Sequence, residues 1–144
     1  MGDPLSAISA ISGLLLASVK VAKEIYKFRQ GFREAPDDIC QLCNNLDSIQ
    51  SILQQLQDAF KSDAGKVKAL PEGVHCDLMK LIGNCERIYE RLLKLTKEYN
   101  GRNLRKGWER TRWAMVGEGE ARKLSEMLVT HKLTLSITLQ WTNQ

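Results

Sequence analysis

Cys40 and Cys43 form a C-x-x-C, and His75 and Cys76 add an imidazole and a third thiol further along the chain. Thiolates and imidazole are what zinc takes as ligands, and a C-x-x-C can also cycle between dithiol and disulfide. A structural zinc site usually carries a second close pair on a loop or knuckle. Here the C-x-x-C falls inside a long helical pattern, the His-Cys pair lies in or beside another, and no strand precedes the C-x-x-C as in a redox motif. Neither metal nor redox chemistry is expected, and no cofactor. The segment RNLRKGWERTRW, residues 102–113, gathers Arg102, Arg105, Lys106, Arg110 and Arg112 around Trp108 and Trp113. Cations can meet phosphates while an indole sits at a lipid interface or stacks on a base, so this basic patch suits anionic lipid or nucleic acid. Its plainer reading is a solvated basic face with the tryptophans folded inward. For catalysis the chain has two histidines, no phosphate-cradling glycine loop, no nucleophile elbow and no carboxylate pair in an acid–base setting. It is not read as an enzyme, and no small-molecule substrate is expected.

The residues with the sharpest physical character lie at the start of the chain. From Pro4 to Val19, PLSAISAISGLLLASV runs without a charge. As a helix it spans about 24 Å, short of the ~30 Å hydrocarbon core of a bilayer. Extension to Ile25, with Lys20 and Lys23 reaching toward headgroups, brings the length close to sufficient. Ser9, Gly13 and Ala17 recur at four-residue spacing, a ladder that lets helices approach closely in lipid or in protein. Leu5, Ile8, Ile11, Leu14, Leu15, Leu16 and Val19 supply the apolar surface around it. Two states are compatible with this segment: a core helix of a soluble bundle with small residues where neighbours crowd it, and a helix that enters a membrane on activation. Met1-Gly2-Asp3 gives the apolar run no basic leader, so it is not read as a secretory signal. Gly2 and Ser6 match the myristoylation pattern in form, but Asp3 directly after the glycine makes that match unattractive.

These candidates need elements to hold them, and the chain reads as all-α. At 144 residues, 43% hydrophobic and 26% charged, it has the size and composition of one soluble domain. Its three prolines leave long stretches for helix, and no stretch is read as the alternation of a half-buried strand. The first helix starts at Asp3-Pro4 and runs to about Arg29. The second, from Ala35-Pro36 to Phe60-Lys61, repeats Ile39, Leu42, Leu46, Ile49, Leu53, Leu56 and Phe60 at alternating spacings of three and four. After a loop over 61–73, a third helix repeats Val74, Leu78, Leu81, Cys85, Ile88, Leu92, Leu95 and Tyr99, closed by Asn100-Gly101. A short basic helix is expected between Asn103 and Met115. The last runs from about Glu120 to Trp141, with Leu124, Leu128, His131, Leu135 and Leu139 inward. Four long helices plus the short basic one make an antiparallel bundle the simplest packing. Charge is uneven, at +2 over 1–30, −4 over 31–78, +6 over 79–113 and zero over 114–144. Four cysteines without a signal fit reduced thiols in the cytoplasm.

The opening MGDPLSAISAISGLL, RWAMVGEGE over 112–120 and LVTHKLTLSITL over 128–139 resemble the N-terminal domain of STAND proteins, the NOD-like receptors of filamentous fungi, and its HeLo-like helical domains. The resemblance covers nearly the whole chain. It implies a helical domain excised from the N-terminus of a longer receptor, ahead of a nucleotide-binding or repeat module. HeLo-type relatives oligomerise, release the first helix to the plasma membrane and execute regulated cell death. Carried onto this sequence, that helix is Pro4 to Ala22 and its ladder Ser9, Gly13 and Ala17, with one glycine where glycine-zipper relatives have several. The expectation is a cytoplasmic bundle that self-associates and meets anionic membrane lipids when activated. The rival is a non-lytic homotypic adaptor, and nucleic-acid binding through 102–113 ranks last because no base-reading motif accompanies it.

Overall fold

The computed structural model describes residues 4–32, 36–61, 71–99, 113 and 117–142. Four helices account for nearly all of them: α1, Pro4–Gln30; α2, Asp37–Lys61; α3, Glu72–Tyr99; and α4, Glu118–Thr142. There is no strand among the described residues. The chain is an all-α bundle, as the spacing of its apolar residues predicts. All seven stripe residues of α2 are buried. Those of α3 are buried too, except Val74, which is half-buried. Asp37 and Asp38 complement the positive N-terminal end of α2, and Lys61 its C-terminal end.

Cross-helix contacts fix the directions. Gln57 Nε2 donates to Ser12 Oγ at 2.7 Å and Tyr26 OH to Asp47 Oδ2 at 2.5 Å, so α1 and α2 run antiparallel. Ser18 meets Tyr89, and further along both helices Phe28 and Tyr99 pack on the same Trp113, so α1 and α3 run parallel. Arg122 reaches Asp38 and Asn45 reaches Ser125, which makes α2 and α4 parallel as well. The direction alternates along the chain, yet the order around the bundle is α1, α2, α4, α3. Helices α1 and α4 are diagonal, as are α2 and α3.

The core divides in two along the bundle axis. A long aliphatic core runs from Ala7, Ile11 and Leu14 of α1 through Leu46 to Phe60 of α2, Leu78 to Leu92 of α3 and Leu124 to Leu135 of α4. A separate aromatic cluster closes one end, built from Phe28, Phe32, Ile39, Leu95, Tyr99, Trp113 and Ala121. Trp113 is 1% exposed and stands 5.0 Å from the ring centres of both Phe28 and Tyr99, edge-on to the latter at 89°. Such tilted and edge-to-face pairs are the geometry aromatic quadrupoles favour. Gly117 is buried against this ring, and a Cβ added there would overlap the six-membered ring of Trp113. Only glycine fits at that position without displacing the indole.

Candidate membrane and self-association surface

The end opposite the aromatic cluster is formed by the N-terminal halves of α1 and α3 and the C-terminal halves of α2 and α4, with its exposed apolar residues on α1 and α4. The charge-free stretch of α1 is split between two faces. Ile11 and Leu14 are fully buried; Ile8, Leu15 and Ala17 are half-buried; Leu5, Ser9, Gly13, Leu16 and Val19 are exposed. Leu5 is 67% and Leu16 73% exposed, so most of the surface of each faces solvent. Lys20, Lys23 and Lys27 continue the outer face toward the aromatic end.

The small-residue ladder serves the bundle at Ala17 alone, which packs against the aliphatic core, so the expectation that neighbours crowd it fails at the other two rungs. Ser9 and Gly13 face solvent, and a Cβ on Gly13 would meet nothing within 4 Å. The physical reason is the packing order. With α4 diagonal to it, α1 has two neighbours, and its third side has none among the described residues. By length and composition, α1 from Leu5 to Gln30 is apolar enough to cross a membrane, yet 33% of its apolar window is buried in the bundle. A helix apolar on every side belongs in a core or in lipid, and this one is apolar on a side the bundle leaves open.

Among the described residues, side-chain hydrogen bonds at Ser12, Ser18 and Tyr26 hold α1 laterally. The Ser12 and Tyr26 bonds lie at the surface or half-buried, whereas the Ser18–Tyr89 bond is buried at 2.6 Å. Ser18 also donates to the Leu14 carbonyl at 2.9 Å, so its one proton is committed and Tyr89 donates to Ser18 Oγ. Burial raises the Tyr89 phenol well above its ordinary range, which keeps that donor protonated. The hydrogen bond to Asp47 likewise raises Tyr26.

A second exposed apolar stripe lies on α4: Val129 at the margin, Leu133 at 60% and Ile137 at 56%. Of the residues expected inward there, Leu124, Leu128 and Leu135 are buried, while His131 and Leu139 are half-buried. Burial lowers the His131 imidazole from its usual value, favouring the neutral ring. Sequence reading missed the outer stripe, and the signal for it was present. Residues 133–139, LTLSITL, alternate apolar and polar at every step, contrary to the reading that no stretch does so. Because α1 and α4 are diagonal, the two stripes face opposite sides of the same end.

The remaining candidates do not join this surface. The basic patch, Arg102, Arg105, Lys106, Arg110 and Arg112, and the short basic helix lie outside the described residues. Trp113 is buried, as the plainer reading of that segment has it. Cys40 and Cys43 sit at the start of α2, near the aromatic end, and His75 and Cys76 at the start of α3, at the opposite end. Among the described residues no group of three or more His, Cys, Asp or Glu comes together as a metal site. Burial pushes the Cys43 thiol up and the Cys85 thiol up to about 12, so neither is poised as a thiolate.

Comparison with known proteins returns no match among curated proteins and none among solved structures. The family model of the pigment biosynthesis cluster protein PigL N-terminal domain matches residues 2–143, nearly the full length of the bundle. The domain it describes is a helical one found in fungal proteins. With four helices among its described residues and a match over residues 2–143, the chain belongs to the family of PigL N-terminal domains.

Proposed function

We propose that this bundle is an effector or signalling domain that self-associates and engages membrane through the outer face of α1. One observation carries the reading: Leu5, Leu16 and Val19 stand exposed beside the open small residues Ser9 and Gly13, on a helix without charge from Pro4 to Val19. Apolar area of this kind gains about 25 cal/mol per Å2 on leaving water, so a partner or a lipid surface stabilises it. The lysines that continue the face suit anionic headgroups. In the receptor setting that the HeLo resemblance implies, clustering exposes or frees α1, and membrane permeabilisation executes cell death.

The test is dye release from vesicles of phosphatidylcholine and phosphatidylserine, comparing the monomeric domain with the same domain fused to an inducible oligomeriser. Release on clustering, lost in Leu16→Asp with the bundle intact, is the expected result. No release in either form, with a defined complex still assembling, would replace the reading with a non-lytic homotypic adaptor. That second reading draws its support from the α4 stripe, which offers a protein-sized contact away from α1.

A further inference from the structure

We infer that the open groove between α2 and α4 is a docking surface for an amphipathic helix of another protein, apolar along its inner face and basic in its last turn. The floor of the groove is already built. Helices α2 and α4 run parallel and are tied across it by Arg122 to Asp38 at 3.1 Å and by Asn45 to Ser125 at 2.7 Å. Toward the aromatic end the groove is a polar cleft of about 230 Å3, with Asp38 and Gln41 on one wall and Arg122, Glu126 and Val129 on the other. From Val129 the apolar wall climbs by four-residue steps to Leu133 and Ile137, both more than half exposed. Residues four apart stand one above the other on a helix, so these three form one ridge, and Glu126 to Ile137 covers ~16 Å along the axis. Beside the ridge, α2 has no charge between Asp47 and Asp58. The groove therefore has a bare upper half and a charged foot, over the length of a helix of about three turns.

Charge at the foot decides the occupant. Arg122 is engaged by Asp38 and Glu118 at 3.1 and 3.3 Å, and Glu126, one turn further on, has no cation at ion-pair distance among the described residues. Three carboxylates thus stand around one guanidinium, and α2 has no lysine or arginine before Lys61. An anionic lipid surface is repelled by this foot, and a second copy presenting the same face brings the same excess of acid. A partner that places lysine or arginine there offsets it and gains specificity from the match. Orientation follows from the same end. Helices α2 and α4 both begin there, so their positive dipole poles favour the negative C-terminal end of a docking helix, and a helix C-terminus is also where cations are best carried. The partner lies antiparallel to both helices, with apolar side chains spaced three and four apart on the ridge and its cations against Glu118 and Glu126. The groove is separate from the outer face of α1, and the inference does not depend on a membrane role for that helix.

The experiment titrates the whole 144-residue domain into a fluorescently labelled synthetic amphipathic helix with leucines on one face and lysines in its last turn, read by anisotropy at low and high salt. Companion peptides carry the lysines in the first turn, or glutamates in the last. The last-turn lysine peptide is expected to bind, and to bind more weakly in high salt. Leu133→Ser combined with Ile137→Ser is expected to weaken it about thirtyfold and Glu126→Lys about tenfold, all at exposed positions that leave the melting transition of the domain in place. Glu126→Lys should in turn bind the glutamate peptide better than the unaltered domain does. Failure of every peptide to bind, equal binding of the lysine and glutamate peptides, or tighter binding of the first-turn lysine peptide each overturns the inference. Two further results overturn it by naming another occupant. Pairs of the domain in sedimentation that Ile137→Ser dissolves assign the face to a second copy. Binding to vesicles of phosphatidylcholine and phosphatidylserine that Ile137→Ser abolishes assigns it to lipid.

Discussion

The two ends of the bundle are built on opposite plans. At one, four helices converge on Trp113: Phe28 from α1 with Phe32 just beyond its end, Ile39 from α2, Leu95 and Tyr99 from α3, and Ala121 from α4. Ion pairs tie the rim, Arg122 with Asp38 and Glu118 at 3.1 and 3.3 Å and Arg91 with Glu120. At the other end two helices leave leucines in water and carry no charge for long runs. Aromatic packing is concentrated at the closed end and exposed apolar surface at the open one. Partly exposed surface pairs contribute little to stability, so the closed end depends on its aromatic packing. The open end keeps apolar area available for something outside the monomer.

The comparison breaks most directly at the indole. Trp113→Ala is expected to cost about 3–5 kcal/mol, a large part of the stability of a domain this size, measured by urea unfolding. Glycine gives the next contrast. Gly117→Ala should cost about 1–3 kcal/mol by forcing the ring out of place, whereas Gly13→Leu should gain roughly 0.5–1 kcal/mol, since a helix-interior glycine in open space is replaced by a better helix former. A loss at Gly13 comparable to that at Gly117 would mean that the ladder is packed after all. In a liposome assay the same Gly13→Leu variant tests whether close helix approach is needed in the assembled state.

Smaller effects sharpen the picture. His131 titrates below its unfolded value of 6.5 because burial disfavours the cation. Its contribution is therefore full above pH 6.5 and declines as pH falls through the lowered folded value. Urea unfolding across this window should show a slope that His131→Gln flattens. At the bottom of the scale, Leu16→Lys and Leu133→Lys should change stability by no more than about 0.5 kcal/mol, because neither side chain is covered in the monomer. Their effect is expected in assembly and membrane assays alone.

Helices α2 and α3 were legible in the sequence because their stripes are narrow and regular, with polar residues everywhere else. Their bounds, Asp37–Lys61 and Glu72–Tyr99, fall within a few residues of the pattern. The faces of α1 were not legible, and of α4 only the inner face was, through Leu124, Leu128 and Leu135. Residues such as Leu14 and Leu16 are equally apolar, and only the packing order decides that the first is buried and the second is not. That order was hidden as well, since alternating chain direction is compatible with α2 beside α3 or diagonal to it. Trp113 could be placed inward from its character, but its pairing with Gly117 required the fold. The Ser9–Gly13–Ala17 ladder shows the same ambiguity, with Ala17 on the core and the other two rungs in solvent, because small residues mark close approach without naming the partner.

The packing order also sets a field. Because α1 and α3 run parallel as neighbours, their positive N-terminal dipole ends lie side by side at the open end, and the negative C-terminal ends of α2 and α4 form the opposite edge. A bundle with antiparallel neighbours throughout would alternate these poles and blur them. Here the open end is polarised across its width, and Glu72 in the first turn of α3 and Lys61 in the last turn of α2 each carry the charge that complements the pole beside it.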